Sequence, residues 1–216
     1  MRGGVKVFPS TQYRSLDVLD LEPNAAHAND TIYRRAQQKL DPGPGALIVI
    51  DRSGVATLEA KAVPFMLRSR AEIANFLTFL TNRKGRLKPF WFPTWQADLV
   101  LSASASAGSS GLSIINTGYT RFQFPRAARR DLAIIFLDGS AILYNRVVTS
   151  TEVGGGTETL GLDHGLESNI GPSTVLISFL PCSRLAVDET PEFRWETTCV
   201  VEATLQIQSL PGDTPA

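Results

Sequence analysis

The sequence predicts a mainly β (α+β) protein: an N-terminal β-rich, ring-type domain with one bracing helix, followed by an antiparallel β-sandwich or barrel. Three observations predict it. Past residue 101, short runs rich in β-branched and aromatic residues recur at close spacing, divided by turn chemistry such as Asp138-Gly139 and Gly154-Gly155-Gly156. Before it, Ala46-Leu47-Ile48-Val49-Ile50 is a continuous aliphatic run bounded by Gly/Pro on one side and Asp51-Arg52-Ser53-Gly54 on the other. A single stretch, 69–84, has helical periodicity with both ends written in the sequence. At 216 residues the chain is long enough to bury a sizeable core.

In order, residues 1–40 are polar and weakly periodic, which predicts an extended arm or a strand with long excursions. The 46–50 strand should form a hairpin with 55–67, where Pro64 marks an edge position or a strand exit. The helix begins with a capping box, Ser69 followed three residues later by Glu72. Its expected apolar face is Ile73, Phe76, Leu77 and Leu80, at i, i+3, i+4 and i+7. Arg83 and Lys84 suit the negative end of the helix dipole, and Gly85 can take the left-handed conformation that closes a helix. Pro89-Phe90-Trp91-Phe92-Pro93-Thr94-Trp95 follows, a stiff extended segment that cannot continue the helix. Alternation at Asp98-Leu99-Val100-Leu101 predicts a strand, and 102–111, built from Ser, Ala and Gly alone, a loop. Further strands are expected at 112–115, 120–124, 132–137, 141–148, 158–162, 174–180 and 197–208. This gives an assembly domain over 1–101 with its helix at 69–84, completed by 197–208, an antiparallel β domain over 102–196 and a tail over 209–216.

Charge is balanced overall but not along the chain. Residues 1–96 hold 14 Lys/Arg against 8 Asp/Glu, and residues 97–216 hold 7 against 13. Such a dipolar chain suits layered protein contacts better than uniform nucleic-acid binding. No run of about 18 apolar residues exists, which argues against membrane insertion. No hydrophobic region follows the charged N-terminus, so synthesis in the cytoplasm without a secretory signal is expected. The two cysteines, Cys182 and Cys199, lack CxxC or metal-ligand spacing and read as buried free thiols. No metal or cofactor is expected.

Catalytic constellations are thin. His27 sits in the weakly structured arm and His164 in a turn, with no nucleophile elbow near either. Trp91, Trp95 and Trp195 with Asp98, Glu192 and Glu196 could supply stacking platforms and carboxylates for a sugar site. The Gly154–156 run opens no helix and is a hairpin loop rather than a phosphate cradle. Two basic clusters, Arg83/Lys84/Arg86/Lys88 and Arg126/Arg129/Arg130, are too short for sequence-reading of nucleic acid and read better as protein contacts.

The segment with Arg68 and Arg70 at the helix start, Asn82-Arg83-Lys84-Gly85-Arg86, Pro89-Phe90-Trp91-Phe92-Pro93-Thr94-Trp95 and Asp98-Leu99 resembles tail proteins of long-tailed bacteriophages. It is similar to the distal tail and tail-tip (baseplate) group. Arg129–Asp138, Asn145-Arg146-Val147-Val148, Leu160-Gly161-Leu162-Asp163, Cys182–Asp188 and Trp195 extend the likeness over roughly residues 60–208. The resemblance implies a non-enzymatic structural protein of the virion, a distal tail protein that forms a hexameric ring joining the tail tube to the hub. Its implied partners are copies of itself, the tail tube protein, the tape-measure protein and the tail hub protein. In that scheme the arm and the 46–67 hairpin belong to the ring and the helix braces it. Arg83, Arg86, Phe90, Trp91, Trp95 and Asp98 are then the assembly-interface candidates. The alternative is a carbohydrate-binding host-attachment module of the tail tip, with tryptophans as platforms. Relatives that hold an iron–sulfur cluster use several cysteines; Cys182 and Cys199 do not supply that set.

Overall fold

A computed structural model describes residues 11–24, 30–34, 37–40, 43, 48–51, 58–188 and 191–210. Their elements are β1 (Gln12–Tyr13), β2 (Leu16–Asp17), β3 (Asp30–Arg34), β4 (Gln37–Leu40), β5 (Ile48–Asp51), β6 (Leu58–Leu67), α1 (Arg70–Arg83), β7 (Phe90–Trp91), β8 (Gly111–Ile115), β9 (Asp131–Phe136), β10 (Ile142–Val153), β11 (Thr157–Leu162), β12 (Val175–Phe179), β13 (Cys182–Leu185), β14 (Phe193–Trp195) and β15 (Val201–Ser209). The fold is mainly β and its strand pairs are antiparallel. Two compact units divide the chain: Met1–Thr11, Leu21–Phe90 and Ser183–Asp213 form one, Gln12–Asp20, Trp91–Cys182 and Thr214–Ala216 the other. The changeovers at 90/91 and 182/183 stand where the sequence suggested 101 and 196, and Gln12–Asp20, expected in the first domain, belongs to the second unit.

The first unit is a sheet of order β3–β6–β15–β13–β7, with β14 also on β15. In β15, Val201, Ala203, Leu205 and Ile207 are buried and alternate with more exposed residues, so one face of the strand covers a core. Pro64 lies inside β6, opposite Thr204, and not at an edge or exit. Its carbonyl accepts the Asn24 NH at 2.8 Å. In a strand the NH and C=O of one residue point the same way, so the NH that proline lacks would face away from β15. Among the described residues β3 pairs only as far as Ala62, so no ladder bond is lost there.

The expected 46–67 hairpin is also different. β5 pairs with β4 (Leu40 opposite Ile48), whereas β6 pairs with β3 (Arg34 opposite Leu58) and β15. β4–β5 is thus a two-stranded sheet of its own, while β3 and β6 belong to the larger sheet; residues 46–47 and 52–57 of the expected hairpin lie outside the described residues. The turn signals at Gly43 and at 51–54 both look like hairpin turns in sequence, and the β4–β5 pairing is the hairpin that spans the first of them.

Helix α1 starts as its sequence specifies. Ser69 Oγ accepts the Glu72 NH at 3.2 Å, and Glu72 Oε2 accepts the Arg68 NH at 2.7 Å. Lys84 (φ 52) and Gly85 (φ 65) both take the left-handed form at its end. The buried face is Ile73, Phe76, Phe79 and Leu80, while Leu77 is 41% exposed. Phe79 replaces Leu77 because its ring meets Phe90 edge-on at 5.3 Å, and Phe76 lies between Phe65 (5.7 Å) and Phe193 (6.3 Å). Each fully buried Phe contributes about 2 kcal/mol, against about 1 kcal/mol for the N-cap. Packing, more than the cap, holds α1 in place.

The second unit is a five-stranded sheet, β12–β9–β10–β11–β8, whose two edges meet the same segment. Leu99 bridges Ile177 of β12 and Leu101 bridges Ile114 of β8, so residues 99–101 close the strands into a barrel and leave neither edge free there. Leu99 and Leu101 point into the core while Val100 is 41% exposed. β10 pairs with β9 over Ile142–Arg146 and with β11 from Val147 onward, with a register shift between Val147 and Thr149. The core holds Leu112, Ile114, Tyr119, Leu132, Ile134, Val147, Leu160, Ile177 and Phe179.

The Ser/Ala/Gly stretch is an ordered crossing. Ala105 pairs with Ile170, the Ala107 NH donates to Asn169 Oδ1 at 2.8 Å and the Gly108 NH to the Leu166 carbonyl at 2.7 Å. Small residues let two backbones approach closely: a Cβ at Gly165 would stand 2.8 Å from the Gly108 carbonyl oxygen. Gly165→Ala is expected to cost about 1–3 kcal/mol by overpacking against backbone. A lowered urea midpoint at unchanged slope would report it; a midpoint equal to that of the wild type would show that the crossing relaxes freely.

Candidate functional site

The six interface candidates fall into two groups. Arg83, Phe90 and Trp91 are buried at 6%, 0% and 1% exposure, which removes them from the surface of the folded chain. Arg83 lies over the Phe79 ring at 4.9 Å and donates from Nη1 to the Pro89 carbonyl at 3.0 Å, so it ties the helix end to the aromatic segment. Trp91 donates from Nε1 to the Tyr13 carbonyl at 2.7 Å and meets the Tyr13 ring edge-on at 5.5 Å. Burial also excludes Trp91 as a sugar-stacking platform. An aromatic-rich segment between prolines reads as surface-active in sequence, yet it is the most buried part of its surroundings.

Arg86, Trp95 and Asp98 keep some exposure but have internal duties. The Arg86 backbone NH and Nε donate to Asp188 Oδ1 and Oδ2 at 2.9 and 3.1 Å. The Arg86 NH, followed by the guanidinium charge and its hydrogen bond, holds the Asp188 carboxyl below its usual range. Gly85 makes this approach possible, since a Cβ there would lie 2.5 Å from Asp188 Oδ1. Asp98 Oδ2 accepts the Thr94 hydroxyl and, at 2.8 Å, the Phe179 NH. Between them Trp95 sits at φ 57, and its buried indole NH finds no acceptor among the described residues. Asp98 thus pins a strained turn to β12.

Of the remaining candidates, Trp195 is 59% exposed at the end of β14, with Arg194 and Glu196 paired at 3.2 Å beside it. His164 is exposed, and its backbone carbonyl accepts from Asn145 Nδ2. Both cysteines are free thiols, but only Cys182 is buried as expected; Cys199 is exposed, because it lies in the turn between β14 and β15 rather than on a core-facing strand position. His27 lies outside the described residues. Among the described residues no group of three or more His, Cys, Asp or Glu could hold a metal ion, and no helix is long and apolar enough to cross a membrane.

Two buried carboxylates had no signal in the sequence. Glu158, fully buried on β11, accepts the NH groups of Thr117 (3.1 Å), Gly118 (2.9 Å) and Tyr119 (2.9 Å) on Oε1 and that of Thr120 (2.5 Å) on Oε2, with the Thr120 hydroxyl as well. Desolvation pushes its carboxyl up, but the Thr120 hydroxyl and these NH groups outweigh it, and the net direction is down. The NH groups so gathered lead into a π-helical turn, Tyr119–Gln123, where β-branched and aromatic enrichment had predicted a strand at 120–124. The turn forms because one carboxylate collects four successive amides.

Asp131 at the start of β9 accepts the Tyr13 hydroxyl at 2.9 Å and faces Arg146 at 3.4 Å and Arg14 at 3.7 Å. Burial raises its carboxyl more than these partners lower it. Arg14 and Ser15, both with positive φ, form the two-residue turn between β1 and β2. Asn-Gly would have announced that turn in sequence and Arg-Ser does not. This cluster anchors the β1–β2 hairpin. Compared with known proteins, the chain matches no family model and no curated protein.

Proposed function

We propose that the protein is a structural, non-catalytic component of a bacteriophage tail tip, assembling as a ring through protein–protein contacts that join tail tube to hub. The observation that carries this reading is the β4–β5 ribbon. It is a two-stranded sheet with no third strand among the described residues, and Ile48, Val49 and Ile50 are 53%, 48% and 39% exposed. Successive strand residues point to opposite faces, so both faces of β5 offer aliphatic surface. A two-stranded ribbon is marginal alone and gains from an added strand or a covering layer, which a neighbouring subunit supplies in a ring. The resemblance of residues 60–208 to distal tail proteins supports the same reading, as does the unequal charge of the two halves of the chain.

Self-assembly is the test. Light scattering after gel filtration, with negative-stain electron microscopy, should show a closed oligomer, and Val49→Lys with Ile50→Lys should return it to monomer without changing its circular dichroism. A wild-type protein that stays monomeric at high concentration, alone and with its neighbouring tail proteins, would overturn the proposal.

A further inference from the structure

We propose that the loop from Tyr119 to Arg130 is a preformed docking site for an acidic polypeptide segment. Arg121 and Arg126 would take carboxylates, and Phe122 would take an apolar side chain between them. Charge motivates it. From Leu99 through Arg130 the chain carries four arginines and no Asp, Glu or Lys, and all four lie within ten residues, 121–130. Arg121, Phe122 and Arg126 are exposed, Phe122 at 61%, and the Arg121 guanidinium lies 5.9 Å from the Phe122 ring centre. Arginine and aromatic residues are the types that dominate binding energy at protein interfaces.

The loop is held in shape without a partner. Glu158 collects the four amides of Thr117 to Thr120 at its start, the Tyr119 hydroxyl donates to the Arg129 carbonyl at 3.0 Å, and Arg130 Nε donates to the Phe124 carbonyl at 3.0 Å. The Tyr119 ring stacks on Phe179 at 6.0 Å, and Arg129 and Arg130 lie over Phe179 and Phe124 at 4.9 and 4.5 Å. A ligand therefore meets an ordered surface, which lowers the entropic cost of binding. Arg121 pairs with Glu152 at 3.5 Å, but its side chain is 68% exposed and such a pair exchanges readily for an incoming carboxylate.

The rest of the unit selects the class of partner. In Gln12–Asp20 and Trp91–Cys182, nine carboxylates stand against only two arginines outside the loop, Arg14 and Arg146. That surroundings field disfavours a long polyanion such as nucleic acid and suits a short acidic segment. This inference is independent of ring assembly.

The test is fluorescence anisotropy of the purified chain with a short labelled peptide of Glu and Asp around one central Leu. The comparisons are the same peptide with Gln and Asn, and labelled oligothymidylate. The acidic peptide should bind and the amide version should not. Arg121→Ser with Arg126→Ser should weaken binding roughly tenfold or more, Phe122→Ser should remove the preference for Leu over Gly at the centre, and Arg194→Ser should change nothing. Near-UV circular dichroism checks folding; if the double variant fails it, Arg126→Ser alone carries the comparison. Binding of the acidic peptide no better than of the amide version, or unchanged in the arginine variants, would overturn the proposal. So would tighter, arginine-dependent binding of oligothymidylate.

Discussion

Glu158→Ala is expected to destabilise the second unit by about 3–5 kcal/mol, the range for breaking a buried, charge-assisted network. Four backbone amides and the Thr120 hydroxyl lose their acceptor in a site closed to solvent. Glu158→Gln keeps the volume and one acceptor oxygen but turns an NH2 group toward amide donors, and should cost about 2 kcal/mol. Because the folded-state carboxyl sits below its unfolded value, the stabilisation is present above the unfolded pKa, about 4.3, and is lost as pH falls through the folded one. The gap between wild type and Glu158→Ala in urea should therefore narrow on acidification. Asp131 has the opposite sign: its raised carboxyl favours the folded state below its unfolded pKa, and that contribution is lost as pH rises through the folded value. A gap between wild type and Glu158→Ala that stays constant down to the acid limb would show that the carboxylate does not organise the π-helical turn.

Trp91→Ala should cost about 3–5 kcal/mol, the usual penalty for emptying a large aromatic site in a core. The indole is 1% exposed, and its Nε1 is the donor that fixes the Tyr13 carbonyl at 2.7 Å. Trp91→Phe should recover much of the packing but not that bond. Trp195→Ala, at a 59% exposed position, should fall within about 0.5 kcal/mol of wild type. The pair separates fold from surface. Were Trp91→Ala to melt with the wild type while abolishing assembly, its side chain would be an interface group after all, and the packing described here would be wrong.

The legible parts of this fold are those set by local chemistry. Ser69 and Glu72 announced the start of α1, Lys84-Gly85 its end, and Asp138-Gly139 and Gly154–156 two hairpin turns, because caps and turns satisfy backbone groups a few residues away. Alternation at 98–101 predicted a strand, whereas the segment makes only single bridges, Leu99 to β12 and Leu101 to β8, and so touches both edges of the sheet. The candidate surface was legible as composition only. Arg126, Arg129 and Arg130 stood out as charge, whereas the turn that displays Arg121 and Phe122 depends on Glu158, some forty residues away in the chain.

By itself, then, the sequence determined a mainly β chain with one well-capped helix and the turns between its later strands. Tertiary structure decided the rest. It decided which arm β5 pairs with, since two turn signals competed; which helix face is buried, since Phe79 found Phe90; and that Trp91 is core, since burial is a property of neighbours. It also turned TRFQF from an aromatic-rich strand run into a π-helical turn, because a carboxylate that gathers four amides outweighs the modest strand preference of the side chains.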